Sequence, residues 1–369
     1  MRVLLISSLY PSPNSPYLGI FVQRQVNHLK GLGVNFELVV SNLPARQKIL
    51  RKYLGLTLQT FQRMNASYDL VHVHWPVFPG LLGLLAASIH RCPLVVTVHG
   101  GELDPSDIWT LEMGRMKRKI THFIAGLVMR RADQVIVVGS YLTDAARQMG
   151  ISQKKIAVIN MGIDTTIFKP YLKTEARTRL RLRGRNDDLI ILAVASLVPV
   201  KGHAYLLKAM AMILEKHPSC RLCLVGSGYL ESELKSLSSQ LGIAEHVVFA
   251  GQRPPDEIPW WMSAVDVVVV PSLTESFGLV AAEAAACGTP VVASRVGGLT
   301  DHIIEGVNGF LIPPCDPADI ARKVNWLFSN PSLLERMQSH CVSSARKHDS
   351  RSQAQKVLSI YESLIHQLS

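Results

Sequence analysis

Cysteine is sparse and unpatterned in this chain. Its six cysteines (92, 220, 223, 287, 315, 341) form no repeating framework. Cys220 and Cys223 have CxxC spacing, but no second pair and no flanking histidine accompany them, which argues against a zinc site. Reduced thiols of a cytosolic protein are the expectation. Long apolar runs are also missing. The greasiest stretch, VFPGLLGLLAASIHRCPLVVTV (77–98), is interrupted by His90, Arg91 and Pro93, so it reads as a buried helix followed by a buried strand and not as a membrane span. The opening MRVLLISSLYPSPNSP has too short an apolar run for a secretory leader, and no small-residue cleavage pattern follows it. It reads as a first strand and its loop. No GxGxxG and no Walker A spacing is present, which leaves a dinucleotide or P-loop site unsupported. The basic clusters lack interleaved aromatics, and nucleic acid is not an expected partner.

What is present is an ordinary globular composition, 48% hydrophobic and 18% charged over 369 residues, enough for two domains. Charge is uneven. Residues 1–185 carry 25 Lys and Arg against 10 Asp and Glu, whereas residues 186–369 carry 14 against 18. RQKILRK (46–52), RMKRK (115–119) and Arg130–Arg131 load the first half. Such a face attracts anionic lipid or a phosphate-bearing substrate.

Short apolar runs alternate with helical patterns in both halves. Strands are expected at 3–7, 36–40, 70–74, 93–99 and 134–139, and again at 188–197, 220–228, 246–251, 266–272 and 289–294. Helices fit 19–33 and 140–150, then 202–216, 229–241, 278–287, 300–305 and 317–328, with a helical tail from about 333. Buried strands separated by helices imply parallel sheets covered on both faces. The expected fold class is α/β, with two Rossmann-like doubly wound domains facing across a cleft. The polar, turn-rich segment 165–188 is the expected boundary region. The expected domains are residues 1–168, residues 169–345 and a C-terminal helix, 346–369, returning to the first domain.

Ligands of open α/β sheets collect beyond the strands' C-terminal ends, near helix N-termini. The first such place is the loop ending at Gly19. The second is HGGELD (99–104), where His99 either satisfies the loop backbone or hydrogen-bonds a reacting ligand. The third is LVPVKG (197–202), where Lys201 and a helix start suit a diphosphate. The fourth is PSLTESFGLVAAEAAACGTPV (271–291). Here Glu275 precedes a helix start formed by Phe277, Gly278 and Leu279, and Glu283 stands among alanines on a helix that looks buried. A lone carboxylate there is costly unless something pairs with it. Either the two glutamates accept hydrogen bonds from vicinal sugar hydroxyls, or they form a glycosidase acid/base pair, which requires convergence to about 5–10 Å.

In order along the chain, VTVHGGELD (96–104), VINMGIDTTIF (158–168), LVPVKG, VGSGYLESEL (225–234), VVFAGQ (247–252) and the long segment 271–317 resemble the retaining nucleotide-sugar glycosyltransferases of family 4 (group 1), whose fold is GT-B. The resemblance covers nearly the whole chain. It implies that Glu283 binds the nucleotide ribose and that Glu275 contacts the transferred sugar. It also implies that the backbone of Phe277–Leu279 holds sugar and phosphate, and that Lys201 neutralises the diphosphate. Gly19 and Gly226 belong to the implied donor site, and His99 reaches the sugar near its reacting centre. His99, Lys201 and Glu275 are the implied catalytic residues. No metal or other cofactor is implied, because the nucleotide sugar is a co-substrate. The implied acceptor is a hydroxyl of a polysaccharide, glycolipid or lipid-linked saccharide. The expected location is cytoplasmic, and the basic first half suits a peripheral place on an anionic membrane. A nucleotide-sugar epimerase and a non-catalytic sugar-nucleotide-binding protein are the alternatives.

Two departures from the family pattern stand out. Family members carry an arginine in G-R-L-x-x-x-K-G, and this chain has Ser196 at that position, between Ala195 and Leu197. Arg295 is the candidate substitute cation. The segment Asn160-Met161-Gly162-Ile163-Asp164 also carries an inserted methionine.

Overall fold

The computed structural model describes residues 1–13, 18–41, 49–101, 103, 114–182 and 188–367. The chain divides into two compact units, residues 1–162 with 350–369, and residues 163–349. The division thus falls before 168 and after 345.

The first unit holds a six-stranded sheet in the order β2-β1-β3-β4-β5-β6, all pairs parallel. Its strands are β1 (Arg2–Ser7), β2 (Asn35–Val40), β3 (Leu70–His74), β4 (Leu94–Val98), β5 (Gln134–Val137) and β6 (Ile156–Val158). Alternation along the strands decides which helix each side chain meets. Leu4, Ile6, Val71, Val73, Val96 and Val98 face one layer, made by α2 (Ile49–Gln62), α3 (Phe78–His90) and α4 (Arg115–Arg131). Val3, Leu70, Val95 and Ile136 face the other way, toward α1 (Ile20–Gly31) and the last helix, Ser350–His366. Ala354, Val357 and Tyr361 of that helix are buried there, with Leu358 and Leu364 packed against them. A further short helix, α5 (Leu142–Gln148), precedes β6. The expected helix–strand split of 77–98 is realised as α3 and β4, with Arg91 in the left-handed region between them.

The second unit repeats the scheme, with order β12-β11-β10-β7-β8-β9, again all parallel. Its strands are β7 (Ile190–Val194), β8 (Arg221–Val225), β9 (Val247–Gly251), β10 (Val267–Val270), β11 (Val291–Ser294) and β12 (Gly309–Ile312). Its helices are α6 (Lys173–Arg179), α7 (His203–Leu214), α8 (Glu231–Gln240), α9 (Ile258–Ala264), α10 (Leu279–Ala286), α11 (Leu299–His302), α12 (Pro317–Phe328) and α13 (Pro331–Ala345). Helix α12 shows why its boundary is legible. Asp316 caps it, accepting from the Asp319 N–H at 2.9 Å, and Pro317 follows where a missing N–H costs nothing.

Two regions gain detail and one expected helix is shorter. The boundary region 165–188 is polar and turn-rich in sequence but contains α6, which lies in the second unit. Arg177, buried, reaches Asp266 at 3.2 Å, and Lys173 reaches the same carboxylate at 2.6 Å. That cluster ties α6 down despite its polar composition. The helical tail is two helices, α13 and α14 (Ser350–His366). The break occurs where the His348 carbonyl accepts the Ile163 N–H at 2.7 Å and the Asp349 carboxylate accepts the Thr165 hydroxyl, so backbone and side chain are both diverted from helix pairing. The expected helix 300–305 ends early, at His302, where the Asn308 side chain caps the turn by accepting from the Ile304 N–H.

Candidate donor-sugar site

In the second unit, the loops leaving β7, β8 and β10 are pressed together by glycines. A Cβ on Gly226 (φ +143°) would lie 1.9 Å from the Ala195 carbonyl oxygen, and one on Gly202 (φ +68°) would lie 2.0 Å from the Pro271 oxygen. No other residue permits either approach. The Leu273 N–H donates to the Val200 carbonyl at 2.8 Å, stitching the Lys201 loop to the Glu275 loop. The consequence is a direct contact the spacing alone did not reveal. Lys201 Nζ donates to Glu275 Oε2 at 2.7 Å, and the two side chains are 26% and 18% exposed. Two residues expected to serve different parts of one ligand thus form an ion pair at the strand ends.

Beyond Glu275, the Gly298 N–H donates to the Glu275 carbonyl at 3.1 Å. Gly278 (φ +81°) is the N-cap of α10 and supplies no side-chain cap, so the helix start keeps donors for an anion. Phe277 is buried, its ring edge-on to His302 at 4.4 Å. Only its backbone is therefore available to a ligand. On α10, Ala281, Ala282, Ala284, Ala285 and Ala286 are buried, while Leu279 and Glu283 are half-buried and share a face at i, i+4 spacing. Glu283 is thus tolerated because it stands on the single face of α10 that is not packed into the core.

Ser196 is exposed at the end of β7, and its carbonyl accepts from His203 Nε2 at 3.2 Å. Burial pushes the His203 imidazole down to about 4, so it brings no charge there at neutral pH. Arg295 lies at the end of β11, separated from β7 by β10, and its guanidinium reaches Glu305 at 3.4 Å.

The remaining two expected residues belong to the first unit. Gly19 (φ +68°) is the N-cap of α1, and a Cβ there would lie 2.5 Å from the Leu9 carbonyl oxygen. Tight packing on the loop after β1 therefore explains this glycine. Two residues later, the Phe21 ring lies 5.1 Å from the His99 ring. His99 is also flanked by Trp75 at 4.5 Å, and its Nε2 is hydrogen-bonded to His74 Nδ1 at 2.9 Å. His99 Nδ1 and His74 Nε2 stay buried with no hydrogen-bond partner among the described residues. Behind them, His72 bridges Tyr361 Oη at 2.5 Å and Thr97 Oγ1 at 2.7 Å. Glu102 and Asp104 lie outside the described residues. Phe21, His74 and Trp75 were missed from sequence. The strict alternation in VHVHW places both histidines on one side of β3, and Trp75 takes a left-handed φ of +73°, a rarity for a bulky residue.

These histidines make stability acid-sensitive. Burial pushes His72, His99 and His302 down to about 3, and His74 well below its ordinary value. Well above pH 6.5 neither folded nor unfolded imidazole binds a proton, so their contribution to stability is full. As pH falls from there toward 3, only the unfolded chain gains protons, and stability declines. The urea midpoint should therefore drop between pH 7.5 and 5.5, before the carboxylates titrate. An unchanged midpoint contradicts the buried, neutral placement.

Among the described residues, no group of three or more His, Cys, Asp or Glu could hold a metal ion, and no helix is long and apolar enough to cross a membrane. All six cysteines are free thiols.

Comparison with known proteins now adds the family. Residues 18–167 match the model of Glycosyltransferase Family 4, and residues 176–348 match that of Glycosyl transferases group 1. The D-inositol 3-phosphate glycosyltransferase of Thermobifida fusca is 33% identical over 330 residues, 85% of this chain and 74% of its own. That of Acidothermus cellulolyticus is 34% identical over 316 residues, 80% of this chain and 67% of its own. Among solved structures, the sucrose-phosphate synthase of Thermosynechococcus elongatus superposes with a TM-score of 0.83 at 22% identity, covering 100% of both chains. Anabaena HepE in complex with UDP-glucose superposes at 0.77 and 23%, covering 99% of this chain and 100% of its own. Two parallel α/β units, both family models and these relatives agree: the chain belongs to the group 1, family 4 glycosyltransferases, GT-B-type enzymes that transfer a sugar from a nucleotide diphosphate sugar.

Proposed function

We propose that this chain is a retaining hexosyltransferase whose second unit holds the donor through Lys201, Glu275, Glu283 and the start of α10. The observation that carries the reading is the Lys201–Glu275 pair at the C-terminal ends of the strands, beside an uncapped helix start. A diphosphate approaching there meets an ammonium and free N–H donors. Glu275, relieved of its partner, turns its oxygens to sugar hydroxyls. Glu283 takes the ribose from the open face of α10. Gly226 and Gly202 hold the loops in place, and Gly19 sets the start of α1 in the first unit. UDP-glucose, the ligand of Anabaena HepE, is the first donor to test.

In the reaction, the bond between the anomeric carbon and the β-phosphate oxygen breaks. The acceptor oxygen bonds that carbon on the same face, and the acceptor's proton passes to the departing phosphate. Lys201 and the helix donors stabilise the charge developing on the phosphate, an electrostatic contribution worth most where water is excluded. His99, with an unpartnered buried Nδ1, is a neutral polar partner of the sugar and not a base. With Ser196 in place of an arginine and Arg295 separated from β7 by β10, Lys201 is the principal side-chain cation of the proposed donor site. The acceptor is a hydroxyl of a saccharide or lipid-linked saccharide. D-inositol 3-phosphate, named for the relatives, belongs in the same screen. The basic first half gives the chain a peripheral place on an anionic membrane.

The two glutamates separate by role. Glu283→Gln should weaken binding of free nucleoside diphosphate, whereas Glu275→Gln should lower sugar transfer more than nucleotide affinity. Calorimetry with UDP on both variants, paired with turnover, decides the matter; equal losses of UDP affinity contradict the assignment. Normal binding in two merely unstable variants makes the carboxylates structural.

A further inference from the structure

In the first unit, the inner sides of α2, α3 and α4 bury Leu56, Leu82, Ala86, Ala125 and Val128 against the sheet. The three helices lie side by side. Tyr53 of α2 stacks on Phe78 of α3 at 4.1 Å, and a Cβ on Gly80 of α3 would lie 2.9 Å from Val128 of α4. Their outer sides should then be polar, yet they are not. On α2, Leu50, Leu54, Leu58 and Phe61 form one stripe at helical spacing, each more than half exposed. On α3, Leu81, Leu85 and Ile89 repeat every four residues, and on α4 Met116, Ile120 and Phe123 continue the surface, all exposed. Ten of the nineteen exposed large apolar side chains among the described residues thus stand on this one layer. An apolar surface gathered in this way marks an interaction face.

Charge identifies the occupant. The three helices contain eight Lys and Arg and no Asp or Glu. Lys117, Lys119, Arg130 and Arg131 are exposed beside the apolar stripes. Along α2, a groove of about 460 Å³ is lined by Arg51 and Lys52 together with Leu54 and Leu58, which also belong to the stripe. Lys52 is 5% exposed and makes no ion pair or hydrogen bond with a described residue. A second copy of this chain would bring the same positive face against itself, whereas an anionic bilayer offers both acyl chains and phosphates.

We propose that the outer side of α2, α3 and α4 is a bilayer-docking face. Its apolar stripes enter the acyl boundary of an anionic leaflet, and Arg51 and Lys52 take a headgroup phosphate in the α2 groove. This deepens, and rests on, the peripheral-membrane part of the function proposed above.

Flotation of the full chain tests it, with vesicles of phosphatidylcholine alone or mixed with phosphatidylglycerol and no nucleotide present. The chain should float with the mixed vesicles and not with the neutral ones. The triple variant Leu54→Ser, Leu85→Ser, Phe123→Ser should lose partitioning by about tenfold or more while keeping its thermal midpoint, since each position is exposed. Lys117→Glu with Lys119→Glu should lose it similarly. Wild-type chain that stays unbound, or that binds both vesicle types equally, overturns the proposal. So does a triple variant that binds like wild type, or a wild-type dimer in sedimentation that the triple variant abolishes. Donor binding is read separately, by the UDP thermal shift of the same preparations, so failure of flotation leaves the donor site standing and the converse also holds.

Discussion

Lys201→Ala is expected to remove most turnover and to weaken nucleoside diphosphate binding by about 2–3 kcal/mol, the range of a lost charge-assisted hydrogen bond. The expected effect on binding is large because no arginine stands at Ser196 and Arg295 lies at the end of β11, separated from β7 by β10, so the proposed site relies on one ammonium and the α10 donors. The effect on stability is small. The Lys201–Glu275 pair is partly exposed, and solvent screens what the contact contributes to folding. The substitution nevertheless leaves the Glu275 carboxylate unopposed where a diphosphate must arrive, so repulsion adds to the lost attraction. Glu275→Gln in the Lys201→Ala background should recover part of the nucleotide affinity while turnover stays low. Unchanged binding and turnover in a well-folded Lys201→Ala protein contradict the assignment.

His99→Ala is expected to lower kcat more than it raises the donor's KM. Its ring is held between Phe21, Trp75 and His74, and its Nδ1 is buried with no hydrogen-bond partner among the described residues. Burial pushes its imidazole down to about 3, which makes it a weak base and favours a role as an oriented dipole. A contact made chiefly in the transition state appears in kcat. If His99 only supports its loop, the variant loses thermal stability and keeps its kcat per folded molecule. Steady-state kinetics corrected for folded fraction separates the two outcomes.

The fold was legible where strands were buried on both faces and helices closed on glycine or began on a capping residue. Runs such as LVHVH and DVVVVPS admit few other readings. Strand β6 escaped because three residues give no period, and α6 escaped because its stability comes from Asp266, about ninety residues away, and not from its own composition. At the candidate site, Lys201, Glu275 and Glu283 were visible as charged residues at strand ends and on an alanine-rich helix. Their arrangement was not. The 2.7 Å contact depends on Gly202 lying against Pro271, a tertiary approach that spacing cannot encode. His74 and Trp75 were written in the alternation of VHVHW, but their contact with His99 required the pairing of β3 with β4.

The most direct measurement is a thermal-shift panel of UDP, GDP and ADP sugars on wild-type, Lys201→Ala and Glu283→Gln proteins. A ligand specific to the folded state stabilises by mass action, by about 2.7 kcal/mol at one hundred times its Kd. One nucleotide series should raise the wild-type midpoint, and the rise should shrink in both variants while their unliganded midpoints stay near wild type. No shift with any nucleotide sugar, or an equal shift in all three proteins, contradicts a donor site built on Lys201 and Glu283.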